Sequence, residues 1–214
     1  EAPLMLTSEK NIASGLEKVK GQSLSFRASN LIYPATYKNL ELKPFFQIHD
    51  ARYMIYWRVT DQRGLEKIQA AVRENEKAKL LLEAGTVDQV APGEQQPETD
   101  HNFQGEKTDV GVHMERHWRT AQGWFSYDLR NKNKKGTKLR ITYFGGDRDR
   151  NFDIYVNNVL LKTEKLDGGA GEKFIDVDYP LPTGLTSNDL LTVKFVARPG
   201  STAGGIYYVR LMKS

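Results

Sequence analysis

The 214-residue chain contains no cysteine. Disulfides, thiolate metal sites and cysteine nucleophiles are thereby excluded together. No apolar run approaches the roughly 20 residues that a membrane helix requires. There is no initiator methionine and no signal peptide ahead of Glu1, so the chain reads as a mature product or an excised piece. No G-x-x-x-x-G-K-S/T phosphate cradle occurs, and no repeat with a period of roughly 20–50 residues. Charge is nearly balanced at a net +4. The densest basic stretch, Arg130, Lys132, Lys134, Lys135, Lys138 and Arg140, has no interleaved aromatics on which bases could stack. It reads as a solvated turn, and no nucleic-acid partner is expected.

What is present is mostly the alternation of β-strands. In "RYMIYWRV", Tyr53, Ile55, Trp57 and Val59 alternate with Met54, Tyr56 and Arg58, which predicts a central strand covered on both faces. The period then changes. Leu65, Ile68 and Val72, followed by Ala78, Leu81 and Leu82, fall at helical spacing, and Gly85 suits the position after a helix end. From residue 116 onward short strands follow one another: Phe125, Tyr127 and Leu129 face one way, then Leu139, Ile141 and Tyr143, then Leu191, Val193 and Phe195, then Tyr207, Val209 and Leu211. Asn157-Asn158 marks a hairpin turn, because asparagine tolerates positive φ. The expected fold is mainly β: an antiparallel β-sandwich of jelly-roll or galactose-binding-like type, preceded by a partial β-domain and one linking helix. The expected boundaries are 1–60 for the end of a β-sandwich domain, 61–85 for the helix, 86–115 for a long ordered loop laid over a surface, and 116–214 for the sandwich.

The stretch "DVGVHMERHWRTAQGWFSY", residues 109–127, is the richest in chemistry. "HMERH" places His113 and His117 four apart with Glu115 between them, and His101 is near in sequence. A zinc-protease motif needs its glutamate beside the first histidine, so this is not one. No metal or other cofactor is expected. "DRDRNFD", residues 147–153, starts like a calcium loop but has Phe152 and Asn158 where glycine and glutamate are needed, and reads as a polar turn. No carboxylate pair stands out for glycoside hydrolysis. Flat aromatics beside charged groups do suit a sugar, whose C–H bonds pack on rings while its hydroxyls find polar partners. Trp118, Trp124, Arg116, Arg119, Glu98 and His101 are the candidate carbohydrate contacts. Tyr127 and Tyr207 read as core.

Three stretches carry a resemblance to a known family. "LKPFFQIHDARYMIYW" (residues 42–57), "VDQVAPGEQQPETDH" (87–101) and "ERHWRTAQGWFSYDL" running on to "GGIYYVRL" resemble the region after the catalytic barrel in bacterial, Bacteroides-type glycoside hydrolases of the family 127, β-L-arabinofuranosidase-like group. The resemblance implies a non-catalytic accessory region of a secreted or periplasmic glycoside hydrolase. It would support the parent chain's catalytic barrel domain and contact a plant-type polysaccharide. It also implies that catalytic residues lie elsewhere, since members use cysteine and glutamate around zinc and this chain has no cysteine. The alternatives are a structural docking module without ligand and a metal-dependent hydrolase.

Overall fold

The computed structural model describes residues 3–7, 12–28, 32–37, 40–49 and 57–213. The chain divides into two compact units, Glu1–Leu80 and Leu81–Ser214. In the first, β1 (Leu4–Leu6) pairs antiparallel with β4 (Ile32–Tyr33) and parallel with β6 (Arg58–Thr60). A second small sheet joins β2 (Glu17–Lys18), β3 (Phe26–Arg27) and β5 (Glu41–Leu42). Met5 and Ile32 of the first sheet and Ala28, just after β3, form one small buried cluster, with Leu16, Leu42 and Trp57 against them. Most of the strand expected over residues 52–59 lies outside the described residues.

Helix α1 (Gln62–Gly85) starts where predicted, because the Asp61 carboxylate accepts the Gly64 N–H at 2.7 Å and so caps an orphan donor of the first turn. Of its apolar stripe only Leu65 is buried. The boundary between the units falls inside this helix.

The second unit is an antiparallel sandwich. Strands β7 (Thr86–Val90), β10 (Lys138–Phe144), β13 (Phe174–Pro180) and β16 (Tyr208–Met212) form a four-stranded sheet in the order β13-β10-β16-β7. The other sheet has the order β12-β11-β14-β9-β15, built from β9 (Arg116–Arg130), β11 (Arg150–Val156), β12 (Val159–Leu166), β14 (Leu190–Ala197) and β15 (Ala203–Ile206). Its sixth strand, β8 (Gln104–His113), pairs with β9. Alternate residues of both sheets meet in one core, where Phe125, Tyr127, Leu129, Leu139, Ile141, Tyr143, Leu191, Val193 and Phe195 are wholly buried. Asn157 and Asn158 both have positive φ, at 47° and 65°, and join β11 to β12 as the sequence predicts.

Residues 86–115 are not the single loop expected. They contain β7, a short helix α2 (Gln95–Asp100) and β8. β8 has no apolar alternation because it is an edge strand with Glu106, Lys107 and Asp109 exposed, and α2 carries Pro97 within one and a half turns. Each therefore lacks the periodic signal from which sequence reading works. A one-turn helix, α3 (Thr183–Thr186), also interrupts the succession of strands expected after residue 116.

Candidate functional site

The β8–β9 hairpin builds one wall of the site. His113 pairs with Arg116 and Val112 with His117, leaving a two-residue turn of Met114 and Glu115. Both turn residues have positive φ, 46° and 63°. Neighbouring residues of a strand point to opposite faces, so His113 and His117 diverge and cannot grip one ion. No cluster of three metal-ligating side chains occurs among the described residues. Further along, Gly111 stands opposite Trp118, and a Cβ at Gly111 would lie 2.4 Å from Trp118 Cζ2. The absent side chain is what lets the indole lie across the hairpin.

Trp118 faces a cavity of about 360 Å³ lined by Val112, His113, Thr120, Phe144, Asp147, Arg150, Gly205 and Tyr207. Asp147 comes from the turn after β10 and Arg150 opens β11. Arg150 is placed by a bridge to Thr202 and by the next residue, whose N–H donates to Ser201 Oγ at 2.7 Å. Rings close the side walls. His113 meets Phe144 edge-on at 4.4 Å between centroids, and Phe174 meets Phe144 at 5.7 Å and Tyr207 at 4.8 Å.

Among the described residues, three buried side-chain polar atoms find no hydrogen-bond partner in the chain: His113 Nε2, Asp147 Oδ2 and Arg150 Nε. All three belong to this one cavity. Buried polar groups are ordinarily satisfied, and each orphan costs on the order of 1–3 kcal/mol. Three in one cavity leave it lined with polar atoms open to a partner outside the chain, water included. Asp147 and Arg150 do not close on each other as an ion pair among the described residues. Burial raises the Asp147 pKa above the ordinary aspartate value, against the opposing pull of Arg150, a Gly205 backbone contact and His113. Burial, together with the Asp147 charge, pushes the Tyr207 phenol up to about 12. The site thus offers an acceptor, guanidinium and imidazole nitrogens, and ring faces. Asp147 is the only carboxylate among the lining residues, so the cavity lacks the pair that glycoside hydrolysis needs.

The six residues singled out from the sequence do not converge there. Glu98 and Arg119 do meet, but as a closed buried pair: Arg119 donates Nε–H to Oε1 and Nη2–H to Oε2, both at 2.6 Å. Glu98 Oε1 also accepts from the Tyr127 hydroxyl at 2.7 Å and the Gly93 N–H at 2.8 Å. Arg119 Nη1 reaches Thr108 Oγ1 at 2.9 Å, and the guanidinium stacks 4.0 Å over Phe103. This pair locks α2 and the middle of β8 onto β9. Burial raises the Glu98 pKa, but the donors from Arg119, Gly93 and Tyr127 outweigh it and leave the value lowered. His101 is held by two acceptors, Pro97 O at 2.6 Å from Nδ1 and Asp88 Oδ1 at 3.3 Å from Nε2. The bond to Asp88 raises its pKa, so the doubly protonated ring suits both partners. Trp124 lies six residues along β9 from Trp118, roughly 20 Å in an extended strand, beneath the Lys194 ammonium at 3.9 Å. Arg116 lies 4.1 Å over the Phe174 ring, which itself packs on the cavity's Phe144 and Tyr207. Of the six, Trp118 alone lines the cavity. His113, Asp147, Arg150 and Tyr207 were not singled out as contacts. The one available signal was "GGDRDR", a polar turn held between two strongly apolar strands.

Residues 81–212 match the family of unknown function DUF6805. The chain belongs to that family. Residues 1–59 match a second domain of unknown function, DUF4986. Neither description names a glycoside hydrolase, so the link to the family 127 group stays an expectation from the sequence. No curated protein matches the chain. Solved structures similar to it include the ANX1 ectodomain from Arabidopsis thaliana, 13% identical with a TM-score of 0.45 over 59% of this chain and 38% of that one. An exo-beta-1,3-galactanase from Phanerochaete chrysosporium, with beta-1,3-galactotriose, is 14% identical, with a TM-score of 0.41 over 59% and 28%. A family 35 carbohydrate binding module from Clostridium thermocellum is 12% identical, with a TM-score of 0.38 over 53% and 93%. The chain spans about a third of the length of the first two.

Proposed function

We propose that this chain binds carbohydrate without transforming it, and that one sugar ring enters the cavity beside Trp118. The convergence of three unpartnered polar atoms on a ring-walled cavity carries this reading. A pyranose meets each demand at once: its C–H faces pack on the indole, and neighbouring hydroxyls can donate to the Asp147 carboxylate and accept from Arg150 and His113. The resemblance to family 127 enzymes supports a wider reading, an accessory module to a catalytic domain in a secreted or periplasmic glycoside hydrolase. A glycan array probed with the whole chain tests the binding claim. The expected result is saturable binding to a related set of glycans, weakened about tenfold or more by Trp118→Ala and left unchanged by Trp124→Ala. Signals that survive Trp118→Ala would overturn the assignment of the cavity.

A further inference from the structure

The outer face of the four-stranded sheet carries a second unusual arrangement. In register across it stand Asp178, Arg140, Arg210 and Gln89, with Asp176, Thr142 and Tyr208 in the adjoining row. Arg140 is bidentate to Asp178, at 2.7 and 2.9 Å, and Lys138 reaches the same carboxylate at 2.7 Å. Among the described residues no carboxylate pairs with Arg210. It donates Nε–H to Gln89 Oε1 at 3.3 Å and Nη1–H to Thr142 Oγ1 at 3.1 Å, and it stacks 4.2 Å over the Tyr208 ring. Like charges directly opposite each other on neighbouring strands destabilise a sheet, yet Arg210 faces Arg140. Burial lowers the Arg210 pKa below the ordinary arginine value, and Arg116 and Arg140 push the same way against Asp176 and Tyr208.

Arg116 joins this patch to the cavity. It stacks on Phe174, and Phe174 packs against Tyr207 and Phe144, which line the cavity wall. No ion pair occupies Arg116 among the described residues. Among the described residues, Lys138, Arg140, Arg210 and Arg116 stand against Asp176 and Asp178. An arginine stacked on a ring keeps its edge donors pointed outward in a planar fork that matches an oxyanion. We propose that Arg210 and Arg116 bind an anionic substituent, a carboxylate or a sulfate ester, on the same glycan whose ring enters the cavity. This rests on the carbohydrate reading above and adds the class of glycan: an acidic one, extending from the cavity over the sheet face.

Calorimetric titration of the whole chain separates the two claims. The probes are oligogalacturonate and its methyl ester, and a sulfated galactan oligosaccharide and its desulfated form. The expected result is that at least one charged probe binds roughly tenfold or more tightly than its neutral counterpart. That advantage should fall as salt rises and disappear in Arg210→Gln and in Arg116→Gln, with Arg210→Lys keeping part of it. Which pair shows the advantage tells carboxylate from sulfate. Trp118→Ala should weaken charged and neutral probes alike. Equal affinity for charged and neutral probes, or an advantage that survives Arg210→Gln and Arg116→Gln, overturns the anionic inference while leaving the cavity reading intact. Full affinity of charged and neutral probes alike in Trp118→Ala sinks the cavity reading instead, and silence from all four probes overturns the proposal of an acidic ligand. Thermal melts guard against misfolding: removal of the charge facing Arg140 should leave the melting temperature equal or higher, whereas an arginine kept for structure would lower it.

Discussion

Asp147 and Glu98 are both carboxyls with an arginine nearby, yet they do opposite things. Glu98 is surrounded by donors from Arg119, Tyr127 and Gly93 and its pKa is lowered; Asp147 leaves Oδ2 unpartnered and its pKa is raised. A carboxyl whose folded pKa is depressed stabilises the fold above the ordinary glutamate value, and that contribution is lost as pH falls through the folded pKa. Glu98→Gln should therefore cost about 3 kcal/mol or more at pH 7, because it strands the buried Arg119 charge, and the gap from the parent should narrow in acid. Urea unfolding measures it; a loss under about 1 kcal/mol would mean that the pair is not buried as described. For Asp147 the sign reverses. A raised folded pKa means that ionisation weakens the fold at neutral pH, and that the penalty lifts as pH falls through the raised value. Asp147→Asn should raise the melting temperature of the unliganded protein at pH 7 while abolishing glycan binding, the trade-off typical of a group kept for function. Paired melting and titration curves check this, and an Asn variant that is less stable would assign Asp147 a structural role.

At the scale of elements, the β8–β9 hairpin decides where the site is. Its turn places Met114 and Glu115 in the left-handed region, which costs ordinary side chains roughly 1–2 kcal/mol each. The double change Met114→Asn with Glu115→Gly supplies residues that favour that turn. It should raise stability by about 1–2 kcal/mol, as read by chemical denaturation, without moving Trp118. A drop in stability would show that the register is not the one described. The same feature explains what the sequence concealed. Asn157-Asn158 announces its hairpin, and the inward faces of β9, β10, β14 and β16 are legible from period-two alternation alone. Met114-Glu115 announces nothing, so "HMERH" invites a helical or chelating reading that the pairing of His113 with Arg116 rules out. α2 and β8 were equally silent, for want of an apolar period.

Across the whole molecule, the mainly β sandwich follows from strand alternation, whereas the site comes from loops and strand ends that alternation does not order. Trp118 was legible because a tryptophan beside arginines stands out in any sequence. Asp147, Arg150 and His113 come from three separate elements, and only the closed sandwich brings them together. Glu98, Arg119 and His101 looked like a ligand edge for the same chemical reason that makes them good internal fasteners: each is a strong hydrogen-bonding group, and sequence does not say whether its partner is inside or outside the chain. The chain has three tryptophans, Trp57, Trp118 and Trp124, each with one indole N–H. A nitrogen–proton correlation spectrum recorded while a bound glycan is titrated into the whole chain is the most direct test. Binding in the cavity predicts that the Trp118 indole signal shifts saturably while those of Trp57 and Trp124 stay in place. Movement of Trp124 or Trp57 with Trp118 unmoved would contradict it.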